Sequence, residues 1–587
     1  MHDPVDPEIR TRAMAAARGH QPFDLLITGG TLVDVGTGEL RPADIGLVGP
    51  LIASVHASGS RTDALDAIDA TDRFVAPGFI DMHVHFESSM LTPGGYAGAV
   101  CPRGTTTIFT DPHELANVSG VAGVRYAAEA SRGLPVRFII QAPSCVPPIP
   151  GLELSGADLY GVEVREMMTW PEVGGLAEVM DMLGVLTRDR RMVDVVDAGL
   201  ASGKLVSGHA AGLTGPDLQA YLCAGIFSDH EVFSDGDVVE KIEAGMTVEF
   251  RGMIDALVPP VVAYLNSCPV LPTHVVAATD DLFALTLLTD GGIDHLLRRL
   301  IAAGLDPVKA IRLATYHAAY RLQRPDLGLV AAGRRADVVI LSDLESIAVD
   351  DVWFDGRHVA AGGEMLEAIV EGPSSPPYDT MRLTTVEPDD FVLRLDLPDG
   401  MHRVRCIAGA VVTKWGEVDV EVRDGMVVVP AGYVLQVAIH RHGRAPATPV
   451  AALLADYGDW TGAIATTFAH DTHNLVVFGR DPVQMAQAGR AVIDAGGGVC
   501  VVAAGEITGM IELPIAGLLS PKSAAEVARL QATTQQAALD IGLLAPTVTQ
   551  PLLQILASSL ACLGGPHVTD VGLVDGTTGE MIPSMVI

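Results

Sequence analysis

Apolar and polar positions along the chain fall into stretches of different period. From Asp24, DLLITGGTLVDVGTGELRPADIGLVGPLIASV alternates short apolar runs with Gly and Asp turns, the pattern of short antiparallel strands. The same texture returns in GLVAAGRRADVVILSDLESIAVDDVWFDGRHVA, residues 328–360. Two β-rich pieces flanking a central block predict one small β domain built from both. Within the block, roughly residues 76–330, short apolar runs alternate with amphipathic stretches such as GVAGVRYAAEASRG and PVKAIRLATYHAAYRLQ. Repeated strand–helix units predict a parallel sheet, and about eight of them over this length predict a (β/α)8 barrel. Its strands are expected to end near His85, Asp111, Gln141, Met180, His209, His230, Arg251 and Asp280. EGPSSPPYDT, residues 371–380, is rich in Pro and Ser and predicts a linker.

The expectation is therefore an α/β chain in five parts. Residues 1–75 hold an N-terminal extension and the first part of a small composite β-sandwich domain. The barrel takes 76–330, the second part of the β domain 331–372, a linker 373–385, and a C-terminal α/β domain 386–587.

Composition narrows the class. A chain of 587 residues exceeds one core, and 49% hydrophobic residues with 62 Gly fits a globular enzyme. Against 38 Lys and Arg stand 72 Asp and Glu, a formal net charge of −34. Such acidity argues against nucleic acid and anionic membranes as partners, which call for basic patches. The 7 cysteines are scattered and form no CxxC, so neither a disulfide framework nor a thiolate zinc site is expected, and a reducing cytosol fits. The first twenty residues lack an apolar signal core and no apolar run reaches membrane-spanning length. The expected location is the cytoplasm.

Active sites of such barrels lie at the C-terminal strand ends. At the first of these, FVAPGFIDMHVHFESSML (Phe74 to Leu91) closes on His83 and His85, whose spacing of two puts both imidazoles on one strand face. Two converging ring nitrogens make half a metal site. Strand four, VGGLAEVMD, sets Glu178 in an apolar run; LVSGHA ends in His209, IFSDHE in His230 and Glu231, HVVAATDD in Asp280 and Asp281. Singly, each reads as a structural histidine or a helix-capping acid. Together, four imidazoles with Glu178 and Asp280 at one mouth suffice for two divalent ions bridged by a carboxylate. His470 and His473 read as structural, with an approach to the mouth as the open alternative.

This order of groups resembles the amidohydrolase superfamily, and more closely the bacterial adenine deaminases. The likeness is carried by PGFIDMHVHFESSM, GTTTIFTDPHELANVSG (104–120), PSCVPP (143–148), GLAEVMD (175–181), SDHE and ATDD. HDTHNLVVFG (470–479) and ELPIAGLLS (512–520) extend it into the C-terminal region. The resemblance implies hydrolytic deamination of adenine to hypoxanthine and ammonia by a metal-activated hydroxide. It implies His83, His85, Glu178, His209, His230 and Asp280 as ligands of two divalent ions, manganese or iron, with zinc compatible. Asp280 would take the water proton; Glu231 would protonate a ring nitrogen or orient His209 or His230. Glu87, Ser88, Asp111, His113, Glu114 and Ser144 would line a pocket for the small purine, and a homo-oligomer is implied. Hydantoinase-like relatives bridge their ions with a carboxylated lysine; here strand four offers Glu178, and Lys204 begins strand five at the wrong end. One departure stands out: VEFRGMIDAL (248–257) keeps Arg251 but lacks the Glu-Gly-Ser that follows it in the family. That change keeps another heterocycle or a cyclic amide open as the alternative substrate.

Overall fold

The computed structural model describes residues 5–409, 412–544 and 551–587; the first four residues of the expected extension lie outside them. Eight short parallel strands form the central block: β1 (Phe79–Val84), β2 (Thr105–Thr110), β3 (Arg137–Pro143), β4 (Val173–Val179), β5 (Leu205–Gly208), β6 (Ser228–Asp229), β7 (Thr247–Phe250) and β8 (Val275–Ala277). Each expected strand end falls within a few residues of the observed one. β1 to β5 pair in chain order as one sheet and β6 to β8 as another. The barrel closes where Asp280 N–H donates to the His83 carbonyl (2.9 Å) and His85 N–H to that of Asp280 (3.4 Å). At the other seam, Gly208 N–H reaches Ser228 Oγ at 3.3 Å.

Ile80, Met82, Phe109, Ile139, Leu205 and Val276 share one apolar cluster. Side chains from β1, β3 and β5 can meet only inside a barrel, so this cluster is its filling. The β1–β2 ladder slips between Asp81 and Val84. A slip of this kind re-aims the residues beyond it, which lets Ile80 and Met82 fill the interior while His83 and His85 converge at the mouth.

The small domain is a sandwich. A four-stranded sheet runs Leu51–His56, Asp44–Val48, Phe23–Thr28, Ala64–Asp69. The facing seven-stranded sheet interleaves strands from before and after the barrel: Phe74–Pro77 lies between Val338–Asp343 and Thr31–Asp34. Ile27, Ile45, Val75, Val338, Ile340 and Trp353 form the apolar layer between the sheets.

Residues 366–387 hold no helix or strand, but this stretch is not loose. Glu371 Oε1 accepts Gly94 N–H at 2.8 Å, Arg382 N–H donates to the Arg441 carbonyl at 2.9 Å, and Ala516 N–H to that of Pro377 at 2.7 Å. Beyond it, nine strands between Gly400 and Glu512 form one sheet, antiparallel except where Ile407 meets Leu454. Helices Pro482–Asp494 and Ala524–Asp540 pack on it. This domain sits on the barrel mouth: Ser520 N–H bonds the Met90 carbonyl (2.9 Å) and Gln531 Nε2 that of Ser89 (3.2 Å). Among the described residues no helix is long and apolar enough to cross a membrane.

Candidate metal centre

Glu178, one residue before the end of β4, lies at the middle of the mouth and is 2% exposed. Its Oε1 is 3.2 Å from His85 Nε2 and 3.8 Å from His83 Nε2; its Oε2 is 2.7 Å from His209 Nδ1 and 3.1 Å from His230 Nε2. Asp280 Oδ1 completes the first group, 3.3 Å from His85 Nε2 and 3.5 Å from His83 Nε2. The six residues expected as ligands therefore converge, with the two oxygens of Glu178 directed to separate pairs of imidazoles.

The surroundings hold these groups in register. His85 Nδ1–H donates to the Asp111 carbonyl at 2.9 Å, which turns Nε2 inward as a lone pair. Glu178 N–H bonds Asp111 Oδ2 (3.2 Å), and Ser144 Oγ–H bonds the Glu178 carbonyl (2.6 Å). Tyr221 accepts His209 N–H (3.1 Å) and donates to the Val179 carbonyl (2.7 Å). Asp280 has φ 61°, a left-handed conformation that Asp tolerates better than most residues. Lys204, at the far end of β5, is bonded to the carbonyls of Met168, Trp170 and Val173 and takes no part.

Two observations show that these residues fit a cation. Donor atoms of His83, His230 and Asp280, and of Glu178, His209 and His230, gather within 4.8 Å of one another. The site also holds its central carboxylate ionised. Burial alone would depress His209, but Glu178's hydrogen bond and charge lift it to about 9. Burial would raise the carboxyl of Glu178, yet the imidazoles of His230, His209 and His85 hold it well below the usual range. Two imidazole pairs and carboxylates without thiolate form an N/O donor set for a divalent first-row metal.

Arg251, at the end of β7, bonds Glu231 Oε2 at 2.5 Å and also binds Asp280 Oδ2. Burial would raise Asp280, but the Arg251 charge and bonds from His83 and His85 hold it well below the usual carboxylate range. Glu231 touches Arg251 rather than the imidazole of His209 or His230, so the expectation that it orients one of them gives way to a place on the pocket wall.

A cavity of about 540 Å³ opens over these groups, lined on one side by His113, Glu114, Glu231 and Arg251, and on another by Met180, Phe233, Leu553 and Leu560. Of the six residues expected to line it, only His113 and Glu114 do. Asp111 is buried against His113 (2.9 Å) and Glu178; Ser88 donates to Asp281; Ser144 is held by the Glu178 carbonyl; Glu87 is wholly buried beneath Leu115 N–H. His470 and Asp471 of the C-terminal domain also line the cavity, and His473 binds Glu114. The open alternative for His470 and His473 is therefore the observed one. A further cavity of about 620 Å³ lies at the opposite end of the barrel, around Tyr316, Tyr320 and Arg324, and contains none of the candidate ligands.

A parallel eight-stranded barrel whose mouth gathers buried imidazoles around a shared carboxylate defines a metal-dependent hydrolase. Residues 74–359 match the amidohydrolase family, and residues 410–580 match the adenine deaminase C-terminal domain. The adenine deaminase of Klebsiella pneumoniae (strain 342) is 49% identical over 581 residues, 99% of this chain and 96% of its own. Adenine deaminase 2 of Rhizobium meliloti (strain 1021) is 49% identical over 585 residues, covering 99% and 98%. The adenine deaminase of Moorella thermoacetica (strain ATCC 39073 / JCM 9320) is 37% identical over 596 residues, 98% of each chain. The chain belongs to the adenine deaminase family.

Proposed function

We propose that this chain hydrolyses adenine to hypoxanthine and ammonia at the barrel mouth, with two divalent ions, manganese or iron, held by His83, His85, Glu178, His209, His230 and Asp280. The substrate reading is carried by identity at about half of all positions, over 99% of the chain, to proteins called adenine deaminase. Bound there, a divalent ion is a Lewis acid that lowers the pKa of water from about 15.7 towards ~7. Attack of the water oxygen on C6 makes that carbon tetrahedral. Glu231, paired with Arg251, takes one water proton and delivers it to N1. Asp280 takes the second and passes it to the departing amine, so that C6–N breaks, ammonia leaves and the oxygen stays as the 6-oxo group. Met180, Phe233, Leu553 and Leu560 supply the apolar surface on which a flat purine rests. A cavity of about 540 Å³ is within the usual range for a small-molecule site.

A second reading rests on the altered loop. Met253, Ile254 and Asp255, the stretch that departs from the family, line the same cavity, and another aminated heterocycle would be the substrate if they reshape it. One experiment decides. Ammonia release is followed with adenine, other aminopurines and aminopyrimidines, using protein purified with manganese supplied and the same protein stripped of metal. Metal-dependent turnover fastest on adenine is expected. Turnover faster on another heterocycle would move the substrate assignment to the second reading, and equal turnover by stripped protein would refute the metal chemistry.

A further inference from the structure

Beside the six groups above lies a second gathering of donors that the proposed reaction leaves unused. His113 and Glu114 open helix α1 (His113–Ser119), directly after β2. His470 and Asp471 lie in the turn after strand Gly462–Thr466 of the C-terminal domain. All four are buried, between 0% and 5% exposed. Glu114 Oε1 is 2.7 Å from His470 Nδ1, which is 3.5 Å from Asp471 Oδ1; His113 Nε2 is 3.6 Å from Glu114 Oε1 and 3.9 Å from Asp471 Oδ1. Around a divalent first-row ion with bonds of about 2.0–2.2 Å, neighbouring ligand atoms lie roughly 2.9–3.6 Å apart. The four separations above fall within a few tenths of an ångström of that range, and His113, Glu114 and Asp471 each bring a donor atom within 4.8 Å of the other two.

Their neighbours leave them free to bind one. His113 Nδ1–H donates to Asp111 Oδ2 at 2.9 Å, so its Nε2 is a lone pair facing Glu114 and Asp471. His473 Nδ1 accepts Ala469 N–H at 3.2 Å, which makes its Nε2–H the donor to Glu114 Oε2. The other oxygen, Glu114 Oε1, is buried without a hydrogen-bond partner, as are Asp471 Oδ2 and His470 Nε2. The His470 contact at 2.7 Å already brings an imidazole nitrogen of the C-terminal domain onto a carboxylate oxygen of the barrel. Charge points the same way. Glu114, Asp471 and Asp281 cluster around His470, whereas Arg251, the one guanidinium lining the cavity among the described residues, is bound to Glu231 and Asp280. Two buried carboxylates this close call for a cation between them.

We propose that His113 Nε2, Glu114 Oε1, His470 Nδ1 and Asp471 Oδ1 form a third divalent-cation site, which pins the C-terminal domain to the barrel. Each domain supplies one imidazole and one carboxylate. A donor set of two nitrogens and two oxygens selects manganese, iron(II) or zinc over magnesium or calcium, which prefer all-oxygen cages. None of its ligands is shared with the proposed two-ion centre.

The test is a count. Enzyme purified with manganese supplied and freed of loose metal by gel filtration is measured for metal per chain, beside Asp471→Asn and His470→Gln. Three equivalents in the parent and two in each variant are expected. Anomalous diffraction at the manganese edge, on the parent alone, should add a peak between Glu114 and His470, so a variant that fails to fold does not leave the site undecided. A parent that saturates at two equivalents with no such peak overturns the third site and leaves the two-ion reading intact. A count of three unchanged in both folded variants overturns it as well.

Discussion

Lys241→Met attacks the site from beneath it without touching any donor group. Lys241 is wholly buried; its ammonium lies 2.7 Å from Asp229 Oδ2 and 2.8 Å from Asp237 Oδ1, and donates to the Glu231 carbonyl at 3.0 Å. Asp229 carries the restraint upward, because its Oδ1 accepts Ala210 N–H (2.7 Å) and Glu231 N–H (3.1 Å), the residues that follow His209 and His230. Burial would raise Asp229, but the Lys241 charge holds it below the usual range; Asp237, with fewer bonds, is raised by its burial despite the same ammonium. Replacing the lysine with an apolar chain strands the Asp229 carboxylate in a dry site, a break that costs about 3–5 kcal/mol. At roughly 2 °C per kcal/mol for a domain of this size, the barrel's thermal midpoint falls by ~6–10 °C. Loosening the supports behind His209 and His230 weakens metal binding at their side of Glu178 by ~10–100-fold. Scanning calorimetry of the metal-loaded protein and a metal titration read the two effects. In Asp229→Asn/Lys241→Met the stranded charge is gone, and at least half of the lost midpoint returns. A drop below ~2 °C in the single variant, or a double variant as unstable as the single, would refute the reasoning.

Three other outcomes follow from the geometry. Asp280→Asn keeps a metal-binding oxygen but cannot take a proton, so kcat falls by ~10²–10⁴-fold while metal content, measured by mass spectrometry, stays near that of the parent; loss of metal in proportion to activity would contradict this. In Gly123→Ala the new methyl would lie 2.3 Å from the Leu115 carbonyl oxygen and push α1, with His113 and Glu114, off the barrel. A loss of ~1–3 kcal/mol and a raised KM for adenine are expected, whereas Gly236→Ala, which meets only Ser234 Oγ at 3.9 Å, should leave both unchanged. His317 is held neutral, its pKa pushed down to about 4 by burial and then by the Arg312 charge, against a bond to the Val275 carbonyl. The unfolded chain takes up that proton below its ordinary pKa near 6.5, so the contribution is whole above pH 6.5 and is lost as pH falls towards 4, about 3 kcal/mol at most. His317→Asn should flatten the pH dependence of the thermal midpoint across that window, and parallel slopes for parent and variant would count against it.

What local pattern encodes was legible in the chain. His83 and His85 announce themselves because a strand repeats every two residues, and Glu178 because a carboxylate interrupts an apolar strand. The slip between Asp81 and Val84 was not visible, since a bulge leaves no regular period. Ser88 and Ser144 could not be placed either: their partners, Asp281 and the Glu178 carbonyl, come from other strands. The hardest case is Glu114, whose imidazole partner His473 is 359 residues away. No periodicity links two domains across such a distance. The HDTH motif in the C-terminal region was the one available signal, and only the packing of that domain over the mouth gave it a meaning.

The interleaved sheet of the small domain has a consequence for synthesis. Strand Phe74–Pro77 takes its neighbour from Val338–Leu341, with Val75 opposite Ile340. At 5–20 residues per second, a ribosome needs about 13–50 s to make the chain between them. Throughout that time the emerging polypeptide carries an unpaired, apolar strand edge beside a barrel still under construction. Nascent chains of this protein are thus expected to bind a holdase chaperone until the barrel is complete, and to let go when the strand from beyond it closes the edge.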